Sequence, residues 1–508
     1  MTGISEALDR LWTAAQDAPM VQFEGEWVFW GRVKVLAEKV DAALAEAGCG
    51  ERGRTAVVLG NRPESVAALL ALLRGGRALV TLNPLQPSAR MLADLEATGA
   101  GYVLATPDYW ADEKFVAAVR RLDAHGWEID LDAGLTQRQR GDGSASPAAA
   151  GVAVELPTSG TTGPPKRIPL SRRQLEASLA AALQHTASAR ADPPPALTGR
   201  VALVTLPIVH IGGLWSLLQA LVQARPLVLL RRFTVDGWRR AVREHRPAIA
   251  GLPGAAIRSV LDADVPAAEL SSLRAVNAGT SPIDPALVDA FHERYGIPLL
   301  IVYGATEFSG AVAGWSLEDF REHWTERRGS VGRAFPGVRL DVVDEHGGSV
   351  PAGVTGRLRV RTPQAAGDGD GGWVTTSDLA HLDEDGFLYI DGRADDVIIR
   401  GGFKISPATV VRALQSHDSV AEAAVAGLPH ERLGQVPVAA VELRTAARVP
   451  DTEELVRHCR ERLTPYEVPV AVRILDELPR GAALKVDRRR LLEILEDLEM
   501  LEGTDTHA

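Results

Sequence analysis

The chain has 508 residues, of which 46% are hydrophobic and 24% charged, and its formal net charge is −11. One hydrophobic core stops growing at roughly 250–300 residues, so we expect at least two domains. Because nucleic-acid binding depends on a basic surface, the acidic balance argues against a nucleic-acid partner. The sequence contains two cysteines, Cys49 and Cys459, which excludes a disulfide framework or a cysteine-rich metal site.

The sequence also argues against a membrane protein. No apolar run reaches the ~18 residues that span a bilayer, and even residues 69–82 are interrupted by arginine and glycine. The first residues, MTGISEALDRLW, include acidic side chains and lack the apolar core of a signal peptide. We therefore expect a cytoplasmic protein without membrane insertion.

Short runs of valine, leucine and isoleucine alternate with helical patterns in the middle of the chain. Strands are predicted at residues 201–206, 226–230, 248–252 and 299–302, and helices at 214–223 and 284–295. This alternation favours βαβ units around buried sheets, so the predicted fold class is α/β. Polar stretches of small residues predict loops at 137–150, 191–199 and 363–372.

The pattern changes after about residue 393. Residues 396–407, DVIIRGGFKISP, indicate a hairpin, followed by a helix at 407–416 and strands at 420–426 and 436–443. A second helix is predicted at 452–463, with Asp451 as its N-cap. This is a small α+β module, so we predict a large N-terminal domain over 1–394 and a small C-terminal domain over 395–508.

The most informative segment is PTSGTTGPPK at residues 157–166. Its prolines and small residues predict a loop, whose glycines allow close approach of a ligand and whose hydroxyls suit phosphate oxygens. A polar linker has a similar composition, whereas a Walker-type site is excluded because no glycine stands directly before Lys166 and because Arg167 follows it. The candidate phosphate-binding residues are Thr158, Ser159, Gly160, Thr161, Thr162, Gly163 and Lys166.

This loop resembles the TSGTTGxPK signature of the adenylate-forming superfamily, which includes acyl-CoA synthetases, luciferase-like enzymes and peptide-synthetase adenylation domains. The other motifs of that superfamily have similar counterparts here, in the same order. They are GRALVTLNP at 76–84, LPIVHIG at 206–212, YGATE at 303–307, WVTTSD at 373–378, DGRADDVIIRGGFKISP at 391–407 and LPRGAALKVDR at 478–488. The resemblance covers nearly the whole chain and implies a mobile C-terminal domain.

YGATE places a ring, a hydroxyl and a carboxylate at the carboxyl end of a strand, where ligands of α/β sheets bind. The resemblance implies that Tyr303 stacks on the adenine of ATP, Thr306 contacts the α-phosphate and Glu307 holds Mg²⁺. Four further nucleotide-binding residues are implied, the last two at the ribose: Gly279, Gly304, Asp378 and Arg393.

The motif around His210 is similar to the acyl site of the superfamily. His210 is interpreted equally well as a core histidine bonded to backbone and as an aromatic wall near the substrate carboxylate. The bulk of Trp215 favours a short or planar acid, although tryptophan is also a common core residue. No aspartate stands where amino-acid-activating relatives bind an amino group, which favours an acid without one. The candidate acyl-pocket residues are Gly212, Trp215, Ala278 and Ser309.

Composition alone would make Lys485 a solvated lysine, but its position five residues after Arg480 resembles that of the superfamily's catalytic lysine. The resemblance further implies a hinge at Asp395 and an acceptor channel lined by Gly401 and Gly402. Four residues depart from the usual motifs: Arg167, Arg357, Ser377 and Leu484.

The resemblance implies ATP- and Mg²⁺-dependent activation of a small carboxylic acid to an acyl-adenylate, with release of pyrophosphate. Transfer to coenzyme A is the favoured second step, as in an AMP-forming acid–thiol ligase. Transfer to an amine or to a carrier protein stays open, as do a homodimer and a catalytically silent nucleotide-binding homologue. The sequence ends 23 residues after Lys485, so we expect any carrier protein to act in trans.

Overall fold

The computed structural model describes residues 3–158, 166–185, 194–365, 372–430, 432–444, 448–481 and 485–496, the side chains of Thr158, Lys166 and Lys404 excepted. The chain forms two compact units. Unit 1 comprises Met1–Trp324, Phe335–Val338 and Thr362–Asp368, and unit 2 comprises Thr325–Ala334, Arg339–Arg361 and Gly369–Ala508.

The helices and strands are numbered in chain order. The helices are α1 Ile4–Trp12, α2 Trp30–Glu46, α3 Pro63–Arg74, α4 Ser88–Thr98, α5 Pro107–Trp110, α6 Glu113–Arg121, α7 Arg172–His185, α8 Ile211–Val222, α9 Val235–His245, α10 Gly254–Asp262, α11 Pro285–Tyr295, α12 Leu317–His323, α13 Pro407–Gln415, α14 Thr452–Arg460 and α15 Arg488–Glu496. The strands are β1 Pro19–Phe23, β2 Glu26–Phe29, β3 Arg54–Val58, β4 Ala78–Leu82, β5 Tyr102–Ala105, β6 His125–Asp130, β7 Gly134–Gln139, β8 Val152–Thr158, β9 Lys166–Ser171, β10 Ala202–Val204, β11 Leu227–Leu229, β12 Ile249–Pro253, β13 Ala275–Gly279, β14 Leu299–Ala305, β15 Gly310–Gly314, β16 Arg333–Ala334, β17 Arg339–Val343, β18 Gly356–Arg361, β19 Trp373–Leu382, β20 Leu388–Arg393, β21 Ile398–Arg400, β22 Phe403–Ile405, β23 Val420–His430, β24 Gly434–Leu443 and β25 Ala471–Leu475.

The largest sheet of unit 1 has the strand order β7-β6-β5-β3-β4-β8-β9. Strands β6, β5, β3, β4 and β8 run parallel, and β7 and β9 pair antiparallel at the edges. Parallel sheets are covered on both faces, which explains why every residue of β4 is buried. Helix α3 starts with Pro63, whose fixed φ suits a first helical turn, and packs its apolar residues on β3 and β4.

Two smaller sheets complete unit 1. One is ordered β10-β11-β1-β2, and the other contains the parallel strands β12, β13 and β14 followed by antiparallel β15. Strands β10 to β14 alternate with α8 to α11, which confirms the predicted βαβ pattern. The four strands and two helices predicted here each lie within three residues of their predicted bounds. The carboxyl ends of β12, β13 and β14 therefore meet at one edge.

Unit 2 contains an antiparallel sheet, β17-β18-β19-β20, and a second sheet ordered β22-β21-β24-β23, with β25 paired to β24. Successive side chains of a strand point to opposite faces, and β24 shows this clearly. Ala439 and Val441 pack with α13 and α14, whereas Val438 and Ala440 pack with α15. The predicted C-terminal α+β module, including the hairpin of β21 and β22, is confirmed.

The predicted loop at 137–150 was wrong at its start, because residues 137–139 belong to β7, an exposed edge strand where polar side chains are favourable. The predicted boundary between the N-terminal and C-terminal domains lies at residue 395, whereas the sheet of β17, β18, β19 and β20, which precedes it, belongs to unit 2. The domain boundary therefore stays a prediction. Among the described residues, no helix is both long and apolar enough to cross a membrane.

Candidate active site

The candidate phosphate loop lies between two paired strands. Strands β8 and β9 are antiparallel, with Thr158 opposite Lys166 and Pro157 opposite Arg167. Strand β8 also runs parallel to β4, so its carboxyl end lies at the edge where the parallel strands of the largest sheet end. Open α/β sheets generally bind ligands at such an edge. Residues 159–163 and the side chains of Thr158 and Lys166 lie outside the described residues, so the roles assigned to them stay predictions.

Arg167 holds the described stem of this loop. Its Nη2 donates to Asp94 Oδ2 on α4 at 2.8 Å, and its Nη1 donates to the carbonyl oxygen of Thr81 on β4 at 3.0 Å. Both side chains are largely buried, with exposures of 15% for Arg167 and 6% for Asp94. In the sequence, Arg167 stands out only as a departure from the superfamily signature, because its partner Asp94 lies 73 residues away.

The YGATE motif spans the end of β14 and the 3₁₀ turn Thr306–Phe308. Gly304 pairs with Ala311 of β15, and a Cβ at Gly304 would lie 2.1 Å from the carbonyl oxygen of Gly310. Only glycine fits this close backbone approach. The turn buries Phe308 and leaves Thr306 and Glu307 half-buried, as is suitable for groups that contact a ligand.

The acyl-site motif leads into helix α8. His210 is half-buried and occupies the N-cap position of α8 with an extended backbone, and its amide donates to the carbonyl oxygen of Pro207 at 3.1 Å. A Cβ at Gly212 would lie 3.2 Å from Leu206 Cδ1 and 3.5 Å from Thr280 Cγ2, at the end of β13. The motif therefore reaches the carboxyl edge of the sheet that contains β12, β13 and β14.

Trp215 connects α8 to α7 and to β15. Its Nε1 donates to Ser178 Oγ at 3.1 Å, and a Cβ at Gly310 would lie 2.9 Å from its Cδ1. The indole thus lies directly against Gly310, which has a φ of 139° and follows the YGATE turn. The place of Trp215 in an acyl pocket stays a prediction, and Ser178 was not among the predicted site residues.

Three other predicted residues of unit 1 are buried. Ala278 and Gly279 end β13, and a Cβ at Gly279 would lie 2.9 Å from Val302 Cγ2. Ser309 is fully buried, and its hydroxyl donates to the carbonyl oxygen of Gln364 at 3.0 Å. Its hydroxyl is therefore engaged within the protein, and a contact with the acid stays a prediction.

The two candidate ribose-binding residues lie together in unit 2. Asp378 on β19 and Arg393 on β20 are directly paired, with Arg393 Nε 3.9 Å from Asp378 Oδ1. Arg393 Nη2 also donates to Ser377 Oγ at 2.6 Å. Ser377 replaces the usual glycine of the superfamily motif, and its hydroxyl gives the guanidinium a partner that glycine lacks.

Lys485 belongs to the same part of unit 2. The Gly481 amide donates to the Lys485 carbonyl oxygen at 2.7 Å, and Arg480 pairs with Val486, so backbone bonds fix the position of the lysine relative to Gly481. Although the residue as a whole is exposed, desolvation of its ammonium group lowers its pKa. Arg393 lowers this pKa further, and Asp378 opposes the shift. Lys485, Arg393 and Asp378 therefore share one electrostatic environment.

The candidate hinge and channel residues are exposed. Asp395 lies in the 3₁₀ turn Ala394–Asp396, and its Oδ2 is 3.5 Å from Arg393 Nη2. Gly401 and Gly402 form the two-residue turn between β21 and β22, with φ values of 56° and 90°. Hairpin turns of this kind require positive φ at both positions, which is reason enough for the two glycines.

The donor set suits a nucleotide with a divalent cation. Within the described ranges, no three His, Cys, Asp or Glu side chains come together as a metal site. A single carboxylate, such as that of Glu307, is compatible with Mg²⁺, because this ion usually keeps waters and phosphate oxygens as its other ligands.

Two family models match the chain: the AMP-binding enzymes over residues 8–367 and the AMP-binding enzyme C-terminal domain over residues 412–485. The chain belongs to the AMP-binding enzyme family. This confirms its predicted place in the adenylate-forming superfamily. It is similar to the indoleacetate–CoA ligase of Aromatoleum aromaticum, with 31% identity over 99% of this chain and 100% of the relative.

Solved structures of this family share the fold. The o-succinylbenzoate CoA synthetase MenE of Bacillus subtilis, in complex with the acyl-adenylate intermediate OSB-AMP, is 26% identical with a TM-score of 0.78 and covers 96% of this chain and 97% of its own. The amide bond synthetase McbA of Marinactinospora thermotolerans is 26% identical with a TM-score of 0.80, covering 97% and 99%. The predicted α/β fold with a C-terminal domain is thus confirmed.

Proposed function

We propose that the protein activates a carboxylic acid with ATP and Mg²⁺ to an acyl-adenylate, releases pyrophosphate, and transfers the acyl group to coenzyme A. The observation that carries this proposal is the grouping of Lys485 with Asp378 and Arg393, within a chain of the AMP-binding enzyme family. It would be an AMP-forming acid–thiol ligase. Because it would use ATP and coenzyme A, we also propose a cytoplasmic location.

In the first half-reaction, the substrate carboxylate attacks the α-phosphorus and pyrophosphate leaves. The protein's task is to position anions and neutralise their charge, which requires no covalent intermediate with a side chain. Lys485 supplies a cation for the α-phosphate and carboxylate oxygens, and Thr306 a hydroxyl for the α-phosphate. Asp378 accepts hydrogen bonds from the ribose hydroxyls, with Arg393 beside it.

We propose a planar, aromatic acid as the substrate. The Trp215 indole, hydrogen-bonded to Ser178 and packed against Gly310, offers a flat apolar wall beside the YGATE turn. Aromatic substrates gain from contact with such a ring. The indoleacetate and o-succinylbenzoate ligases are both named for acids that contain an aromatic ring. His210 and Gly212 would line the same pocket.

The second half-reaction would use a different arrangement of the C-terminal domain, residues 395–508. We propose that the backbone at Asp395 is the pivot, and that Gly401 and Gly402 line the path of the acceptor. Glycine exposes backbone without a Cβ, which suits a thin substituent such as pantetheine.

A panel of aryl-acetic, benzoic and aliphatic acids, each assayed for ATP-dependent pyrophosphate release, tests the first half-reaction. Adding coenzyme A and following the loss of free thiol then tests the acceptor. A second candidate acceptor is an amine, favoured by the likeness to the amide bond synthetase. Amide formation at unchanged free thiol would assign that alternative, and a carrier protein in trans or a homodimer stays a prediction.

A further inference from the structure

Asn61 lies between β3 and α3 in unit 1, outside the site residues described above, with an exposure of 7%. Its Nδ2 donates to the carbonyl oxygens of Leu206 at 3.1 Å and Leu230 at 2.8 Å, and its Oδ1 accepts from the Ile208 amide at 2.8 Å. Two donors and one acceptor with fixed partners determine the orientation of the amide. The reverse orientation would face oxygen against two carbonyl oxygens.

These bonds hold a stretch of backbone that has no regular structure of its own. Residues 205–210 connect β10 to α8 and carry His210 at their end. Thr205 Oγ1 donates to the Gly251 carbonyl oxygen of β12 at 2.8 Å. Asn61 therefore ties this segment to the loop after β3, and Thr205 ties it to the sheet that contains β12, β13 and β14.

The partners of Asn61 lie 145 to 169 residues away in sequence, so one side chain joins three separate loops. Buried backbone groups that lose a partner are costly, and an unpaired group is usually relieved by movement of the chain. A change at Asn61 would thus displace the segment that ends at His210 and leads to Gly212.

We propose that Asn61 is a positioning residue for the acid substrate: it fixes segment 205–210, and so sets the location of His210 and Gly212. This inference rests on the proposed function, because it assigns those residues to the acid pocket. All three hydrogen bonds of Asn61 go to backbone groups of unit 1, two of them in the segment that leads to His210, so we expect its effect on the acid rather than on ATP.

The test compares two variants. Asn61→Asp keeps the side-chain volume and the hydrogen-bond acceptor but loses both donors, and Asn61→Ser has a smaller side chain. The matched control is Gln22→Leu. Gln22 is also a buried amide of unit 1, bonded to the Gly25 carbonyl, Glu244 and His245. It lies on β1, which β11 separates from β10, the strand that leads into segment 205–210.

Both Asn61 variants should raise KM for the acid and slow acyl-adenylate formation by about 10-fold or more, with KM for ATP within about twofold of wild type. Hydrogen exchange at the Ile208 amide should accelerate by at least about 10-fold in both variants. In Asn61→Ser the shorter side chain withdraws the acceptor, and in Asn61→Asp the carboxylate repels the two carbonyl oxygens and so loosens the segment. Gln22→Leu should lower Tm while leaving both KM values and the Ile208 exchange rate unchanged.

Equal changes in KM for acid and ATP, or the same pattern in Gln22→Leu, would make Asn61 merely structural and overturn the proposal. Wild-type exchange at Ile208 in both Asn61 variants would overturn it too. If the wild-type protein releases no pyrophosphate with any acid, the proposed function fails and this role with it. A working enzyme whose kinetics the Asn61 variants leave unchanged overturns only the role of Asn61.

Discussion

Asp378 and Arg393 are paired residues of an antiparallel ladder, and Lys485 is close enough to both for their charges to affect its pKa. These residues come from three different sequence motifs, the last of them 107 positions after the first. A carboxylate, a guanidinium and an ammonium group in one small region can bind a ribose and an adjacent phosphate together.

Lys485→Ala should lower the rate of acyl-adenylate formation by about 100-fold or more, the usual cost of losing a preorganised transition-state donor, ~3 kcal/mol. Transfer from a chemically supplied acyl-adenylate should fall much less, since that step does not need the lysine. Single-turnover assays of each half-reaction measure both rates. An equal loss in both half-reactions would indicate a structural lysine.

The lowered pKa of Lys485 predicts a pH dependence. If the ammonium form is required, adenylation should decline as pH rises through that lowered pKa, below the ~10.4 of an ordinary lysine. Because the unfolded chain holds this proton to higher pH, stability rises with pH between the two pKa values. The rate profile of Lys485→Arg should lack the alkaline decline, since a guanidinium stays charged. An identical decline in that variant would assign it to another group.

The buried pair of Arg167 and Asp94 predicts a non-additive effect on stability. Arg167→Met and Asp94→Leu should each lower the free energy of unfolding by ~3 kcal/mol, because each leaves a buried charge unpaired. The double variant should regain most of that loss, since no charge remains. Urea denaturation of the four proteins decides this; losses that simply add would show that the two charges are not coupled.

Asp395→Pro tests the hinge. Proline fixes φ near −65°, so a pivot that needs two backbone conformations would be held in one. The variant should fold and form the acyl-adenylate, yet transfer the acyl group at least about 100-fold more slowly. Asp395→Ala, which removes the carboxylate but leaves the backbone free, should transfer faster than the proline variant. Transfer at the wild-type rate by Asp395→Pro would rule out the pivot.

Local signals in the sequence predicted much of the fold. Asp451 was predicted as an N-cap, and its side chain does accept a hydrogen bond from the Glu453 amide. The hairpin of β21 and β22 follows from Gly401 and Gly402, whose positive φ values close it. Such features depend on residues that are close in sequence, so the local sequence is sufficient to predict them.

Long-range side-chain partners were not predictable in this way. Asn61 binds backbone groups of Leu206, Ile208 and Leu230. The residues next to Asn61 in the sequence do not distinguish it from an asparagine without such partners. Likewise, Arg167 could be recognised as unusual, but its pairing with Asp94 depends on the packing of α4 beside β4 and β9.

The central claim is acid activation by adenylation, and analysis of the nucleotide products tests it most directly. Wild-type protein, ATP, Mg²⁺ and an accepted acid should yield AMP and pyrophosphate in equal amounts, dependent on the acid. Formation of ADP and phosphate with that acid would contradict the adenylation mechanism.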